Sequence, residues 1–463
     1  MTPSIWLVGA ASIAYSAQHP LPMKTALLIA SAVSVSREPT HPSRHVGMNA
    51  TFEVLVADLS APSRSEFLFR HPPLLLLVAS RSFSEFSYQI GVVAVGWRIY
   101  QLTGSAFHLG MVGLAQFLPN LLLVFIAGHA ADRYDRRRVV QLCQFAQALA
   151  SLYLAWRSFA GALSALEVFL ALVVFGVATA FESPALSALL PGVAPEGNLQ
   201  RATALSAGTG QIAAISGPAI GGLIYAIEPA APFAAMAVFW LLACAASGAI
   251  HLQRSVAPSE PPTFSELFAG IKFVRDNPAI LGTISLDLFA VLLGGATALL
   301  PIYARDILHA GPWALGAMRA APAVGALLMT AVLARHTIKQ RVGLRMLQAV
   351  IAFGLATIVF ALSKEIWLSI IALAAMGAAD AVSVVVRVSL VQLATPDEMR
   401  GRVGAVNFLF IHASNQLGEF ESGLTAALLG AVPAAALGGI GTIAVALLWM
   451  KLFPSLRNTE RLE

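Results

Sequence analysis

The sequence predicts an all-α polytopic membrane protein of about twelve transmembrane helices, arranged as two pseudo-symmetric six-helix bundles. Three observations predict it. Hydrophobic residues make up 57% of the chain and charged residues only 11%, where a soluble domain carries roughly 25% charged residues. Apolar runs long enough to cross a bilayer alternate with short polar breaks from Pro73 onward. A pattern of residues in the first half returns in the second at a constant offset of 201 positions: Ala194-Pro195, Arg201, Gly217 and Gly222 correspond to Thr395-Pro396, Arg402, Gly418 and Gly423.

Residues 1–70 stand apart. They are rich in Ser, Pro and His and hold no run of ~20 apolar residues. Met23-Lys24 followed by TALLIASAV is a faint signal-peptide pattern. Cleavage there would leave the new terminus outside, against the charge bias described below. The expectation is a disordered extension or a start assigned too early, with Met48 as one alternative.

Spans are expected near 74–101, 106–130, 138–158, 164–190, 200–226 and 232–252, then 278–303, 313–334, 342–362, 366–392, 402–429 and 433–453. Each can cross ~30 Å of hydrocarbon at ~1.5 Å per residue. Helix is required because lipid offers no partner to backbone N–H and C=O groups. The longest polar break defines an N-terminal bundle over 71–253, a central linker over 254–277, a C-terminal bundle over 278–455 and a tail over 456–463. Within the linker, FSELFAGIKFVRD has helical spacing, as a surface-lying helix or a short helix in a solvated connection.

Cations set the expected orientation. One set of breaks holds Arg133, Arg136, Arg137, Arg138, Arg201, Arg254, Lys272, Arg275, Arg335, Lys339, Arg341, Arg345, Arg400 and Arg402, and the tail adds Arg457 and Arg461. The opposite set holds Arg157, Arg305 and Lys364. Both termini are therefore expected in the cytoplasm of a bacterial inner membrane. This clustering also accounts for the net charge of +5 without a nucleic-acid partner. Cys143 and Cys244 sit in apolar runs without metal-ligand spacing, so neither a disulfide framework nor a metal is expected.

The break after the second span reads GHAADRYDRRR. It resembles the loop signature of the major facilitator superfamily at Gly128, Asp132, Arg133, Arg136 and Arg137, with Asp135 where the general pattern has glycine. The resemblance implies a cytoplasmic gating latch, here Asp132, Arg136 and Glu182, with Asp132 near a helix N-terminus of the other half. The fifth span contains GPAIGG, whose Gly217, Pro218, Gly221 and Gly222 look like the core of the superfamily's antiporter motif. Generic glycine-mediated helix packing is the competing reading of that stretch. Two further stretches, Trp97 to Asn120 and Thr395 to Gly423, are similar to the branch of enterobactin exporters and transmembrane secretion effectors. The resemblance covers roughly 70–455 and implies a secondary transporter, a proton-coupled exporter of a siderophore or an amphiphilic drug-like molecule. An importer or facilitator of the same fold, and a non-transporting sensor or scaffold, remain as alternatives.

Charges inside the spans narrow the candidates, because an ion at mid-bilayer costs at least ~2.5–3.5 kcal/mol and must serve a path or a pair. Asp287, Glu85 and Asp380 are the candidates for proton coupling; Glu85 and Asp287 fall at similar depths in the first and seventh spans, the helices expected to line the path, and a carboxyl in such a path can exchange protons near neutrality. Static pairs such as Arg81–Glu85 or Asp380–Arg387 are the structural alternative. Arg98 and Arg319 are candidate contacts for an anionic cargo, Arg98 otherwise reaching to the headgroups. Glu419 and Glu421 cannot face the same way. No nucleophile elbow, His-Glu-x-x-His pair or phosphate-binding loop occurs, so an enzyme and an ATP-driven pump are disfavoured. No cofactor is expected; the partners are cargo, protons and lipid, and a monomer suffices.

Overall fold

A backbone that must satisfy its own polar groups in lipid becomes helix, and no strand occurs among the residues that the computed structural model describes: 71–195, 197–251, 264–336, 338 and 340–460. The N-terminal extension lies outside them. Twelve long helices follow in order: α1 (Pro72–Thr103), α2 (Ala106–Arg133), α3 (Arg136–Phe159), α4 (Ala165–Val193), α5 (Leu199–Ile227), α6 (Ala231–Gly248), α7 (Pro278–Leu293), α8 (Pro312–Arg335), α9 (Val342–Leu362), α10 (Ile366–Ala394), α11 (Arg400–Leu429) and α12 (Ala431–Leu452). A linker helix, Phe264–Asp276, separates the two sets of six. Among the described residues, ten segments are long and apolar enough to span a membrane. α1 and α11 have the length, 32 and 30 residues, but carry more polar and charged side chains.

Local chemistry explains the ends. Proline opens α1, α6, α7 and α8, where its missing N–H costs nothing. Gly104 closes α1 in the left-handed conformation, and its N–H donates to the Tyr100 carbonyl. Ser164 and Glu167 form a reciprocal capping box on α4, and Arg157 of α3 binds the same glutamate at 2.7 Å. Ser164→Ala is expected to cost about 1 kcal/mol, read as a small drop in the melting temperature of the detergent-solubilised protein.

The apolar interior has a lopsided layout. One buried cluster, from Ile90, Ile99, Leu154 and Phe233 to Leu299, Tyr303, Leu315 and Phe360, takes residues from both halves. It fills the cation-poor end. Toward the basic end the clusters separate. Leu74, Val140, Leu189 and Ile250 belong to the first half. Leu286, Met346 and Trp449 form one group in the second half, and Ile280, Val391 and Val403 form another. The halves are thus joined at one end and parted at the other.

Two helix crossings make the join. At α2–α11 a Cβ on Gly423 would stand 2.5 Å from the Gly110 Cα, so only glycine allows this approach. At α5–α8 a Cβ on Gly222 would stand 3.0 Å from the Gly316 Cα and 2.5 Å from the Pro312 carbonyl oxygen. Gly217 and Gly221 of the same motif turn instead to Gln89 and Ile90 of α1. The GPAIGG stretch therefore packs α5 on both α1 and α8. At the same end the Tyr100 hydroxyl of α1 bonds the Asp306 carboxylate, and the Arg305 guanidinium lies 5.5 Å from the Tyr100 ring centre.

α7 is not one regular helix. It stops at Leu293, passes Gly294 and Gly295, and resumes as a 3-10 turn (Ala296–Leu299), a short α turn (Leu300–Ile302) and a π turn (Tyr303–Ile307). Its lower part is tied to α10 by an ion pair between buried Asp287 and buried Arg387.

Candidate functional site

The polar residues of the first half converge on a cavity of about 330 Å³ beneath the joined end. Glu85, Tyr88 and Val92 of α1 line one wall, and Gln116, Phe117 and Asn120 of α2 another. Gln147 of α3, Phe175 and Thr179 of α4 and Trp240 of α6 also line it, and Gln416 of α11 reaches in from the second half. The helical period that puts Glu85, Tyr88 and Val92 on one stripe of α1 exposes a carboxylate, a phenol and an apolar surface to the same space. The Trp240 indole N–H and the Gln416 carbonyl oxygen are buried and have no hydrogen-bond partner among the described residues. The cavity wall thus carries hydroxyl and amide groups at Tyr88, Gln116, Asn120, Gln147, Thr179 and Gln416, several aromatic faces and one acidic group, the mixture expected of a site for an amphiphilic small molecule.

A second polar group flanks it. The Arg319 guanidinium of α8 meets Glu419 of α11 at 3.3 Å and donates to the Thr297 carbonyl at 3.1 Å. Glu419 lies against Gly113 of α2, and Tyr88 is within electrostatic reach of both ions. Glu421 turns away and accepts from the Thr425 hydroxyl.

The intramembrane residues divide among different places. Glu85 faces the cavity and accepts from the Gln89 amide at 2.9 Å; Arg81 is exposed and makes no ion pair with it. Asp287, expected on the central path at the depth of Glu85, instead pairs with Arg387 inside the second half and lines no cavity described here. That pairing also replaces the expected Asp380–Arg387 pair, because α7 rather than the next turns of α10 supplies the nearest carboxylate. Asp380 is half-buried on α10, outside the central cavity. Arg98 lies not at the cavity but at the joined end, beside Gln101 at 3.3 Å.

The latch differs from its expected form. The Asp132 side chain lies outside what the structure describes. Arg136 donates to the Ala188 carbonyl at 3.1 Å. Glu182 makes no bond to Arg136; it is buried in the first half, where Ser84, Gln144 and Gln147 donate to its oxygens. The expected Arg136–Glu182 bridge is absent because Glu182 sits deeper than the loop, on the side of α4 that faces α1 and α3. In the loop itself, Arg137 donates to the Ile250 carbonyl at 2.7 Å and pairs with Asp135 at 3.1 Å. Asp135 caps α3 by accepting the Arg137 N–H, and its hydrogen bonds from Arg137 hold its carboxyl below the usual range. The aspartate at the glycine position of the loop signature thus has a local role. Arg133 is exposed, and a Cβ at Gly128 would meet open space.

Gln144, Gln147, Gln116, Asn120 and Trp240 were not among the residues singled out from the sequence. The signal was present for two of them: Gln144 and Gln147 stand at i, i+3 inside an apolar run, one face of one helix.

The chain is similar to known membrane transporters. The profile of the family described as "Transmembrane secretion effector" matches residues 68–462. The enterobactin exporter EntS of Citrobacter koseri is 26% identical over 403 residues, covering 84% of this chain and 93% of the relative. EntS of Salmonella typhi is 26% identical over 404 residues, covering 84% and 94%. Among solved structures, a bacterial homolog of the human lysosomal transporter Spinster, in an inward-facing and unoccupied conformation, aligns with a TM-score of 0.65 at 13% identity, covering 86% of this chain and 97% of that one. The nucleoside transporter NupG aligns with a TM-score of 0.65 at 13% identity, covering 82% and 99%.

Proposed function

Because the chain belongs to the transmembrane secretion effector family of major facilitator transporters, we propose that it is a proton-coupled exporter of a small aromatic or amphiphilic molecule, by alternating access. The observation that carries this reading is the central cavity, acidic at Glu85, rich in aromatic and amide groups, and sealed toward the cation-poor end. With the basic end in the cytoplasm, that shape takes cargo from inside the cell. Release follows when the joined end opens and the basic end closes. The siderophore named for the relatives makes a siderophore the first cargo to test. Glu85 is the leading coupling residue, since it alone among Glu85, Asp287 and Asp380 lines the cavity. Both termini lie in the cytoplasm on this reading, so a green fluorescent protein fused after Glu463 should fluoresce.

Proteoliposomes carrying the purified protein test the function. With an imposed pH gradient, iron-free enterobactin or a neutral amphiphilic dye should accumulate against the proton flow. Glu85→Gln should reduce gradient-driven accumulation at least about tenfold, which corresponds to 1.4 kcal/mol of coupling, while leaving cargo exchange without a gradient measurable. Accumulation with the proton flow would mark an importer, and transport indifferent to pH would mark a facilitator. Either result overturns the reading.

A further inference from the structure

Behind the cavity wall lies a group that the transport reading does not use. Glu182 of α4 is buried, and its partners are all neutral. Its Oε1 accepts from the Ser84 hydroxyl at 2.9 Å and from Gln144 Nε2 at 3.0 Å, and its Oε2 accepts from Gln147 Nε2 at 2.7 Å. Gln144 Nε2 also lies 3.0 Å from Ser80 Oγ and 3.1 Å from Ser84 Oγ, and Gln144 Oε1 accepts from the Ser247 hydroxyl at 2.9 Å. The knot joins α1, α3, α4 and α6. Among the described residues no cation pairs with Glu182. The titratable groups facing it are Glu85 on α1 and Cys143 on α3. α6 contributes Ser247, and where α2 crosses α4 it presents the Gln116 backbone at Gly176.

A buried carboxylate held only by dipoles is costly in its ionised form, so the position suits a group that changes its proton occupancy. What differs between the two glutamines is freedom. Gln144 is committed at both ends of its amide. Gln147 is committed at one end, its Nε2 on Glu182, and its side chain also forms part of the cavity wall.

We propose that Glu182 is a proton-binding residue whose occupancy is read out in the central cavity through the side-chain amide of Gln147. When Glu182 is ionised, Oε2 accepts from the Gln147 NH₂, and the Gln147 carbonyl is left for the cavity. When a proton is bound on Oε2, that oxygen becomes a donor. The Gln147 amide then turns over, so that its carbonyl accepts from Glu182 and its NH₂ faces the cavity. No covalent bond changes except the O–H formed with the incoming proton. The cavity shows an acceptor at high pH and a donor at low pH, so protonation alters which cargo groups are recognised without occupying the cargo site. This proposal rests on the cavity being the cargo site.

The test uses the full-length protein in lipid nanodiscs, with neither cargo nor gradient, so its failure is separable from failure of the export reading. The infrared difference between acidic and alkaline pH should contain a protonated-carboxyl carbonyl band that disappears as pH rises. One component of that band should be lost in Glu182→Gln and retained in Glu85→Gln. With ¹⁵N-glutamine labelling, the Gln147 side-chain resonance, assigned by its loss in Gln147→Met, should shift with the same pH midpoint as the Glu182 band. That shift should vanish in Glu182→Gln. If no component of the band is lost in Glu182→Gln, the proton site is elsewhere. If the Gln147 resonance stays fixed while Glu182 titrates, the readout does not run through this amide. Either result overturns the proposal.

Discussion

Asp287→Ala should destabilise the protein by about 3–5 kcal/mol, because it leaves a buried guanidinium with no counter-charge. Arg387 is buried against α7, and its pairing with Asp287 is the tie between the regular part of α7 and α10. The double variant Asp287→Leu/Arg387→Met should recover most of that loss, since replacing both ions by apolar groups of similar size is often neutral. The measurement is thermal unfolding followed by size-exclusion of the detergent-solubilised protein. Equal loss in the single and double variants would mean that the site depends on the ions themselves. The double variant also tests Asp287 as a coupling residue. If it is stable but no longer accumulates cargo under a pH gradient, Asp287 carries protons as well as structure.

Gly222→Leu and Gly423→Leu should each shift the balance between conformations by about tenfold to a hundredfold toward opening of the cation-poor end. Both side chains would enter backbone-to-backbone crossings between the halves, where a single Cβ is already too close to the facing helix. Overpacking of this kind costs about 1–3 kcal/mol, and the halves relieve it by parting at that end. Spin labels on either side of the α5–α8 crossing should report longer distances in the variants. Unchanged distances with a lower melting temperature would show that the wedge unfolds the bundle rather than tilting it.

The fold was legible because lipid imposes a simple rule. An apolar run of about 20 residues has only one structure open to it, and the expected spans differ from the observed helices by a few residues at their ends, except the seventh, expected as one run over 278–303 and broken after Leu293. The site was legible only in part. Glu85 could be placed on a path from its depth and charge. Asp287 could not be separated from it, because depth along a helix does not say which neighbour faces a given side. That depends on the rotation of α7 and α10, which brought Arg387 to Asp287. The resemblance draws Glu182 into the latch from the cytoplasmic end of the fourth span, but its side of α4 faces Gln144 and Gln147. The i, i+3 spacing of Gln144 and Gln147 marks a polar face of α3 but not its partners, and a single amide such as Gln416 carries little signal by itself. Their meaning lies in convergence from four helices, which spacing along one helix does not reveal.

The interruption of α7 at Gly294–Gly295 separates two tasks. The lower segment is clamped to α10 through Asp287. The upper segment, through Asp306, holds Tyr100 of the opposite half. A continuous rod would have to break both attachments together in order to swing. A jointed one lets the upper piece tilt while the lower stays anchored, so the barrier between conformations is divided into smaller steps. If the halves alternate as proposed, a species shut at both ends lies along the route, and the molecule need never stand open to both compartments at once.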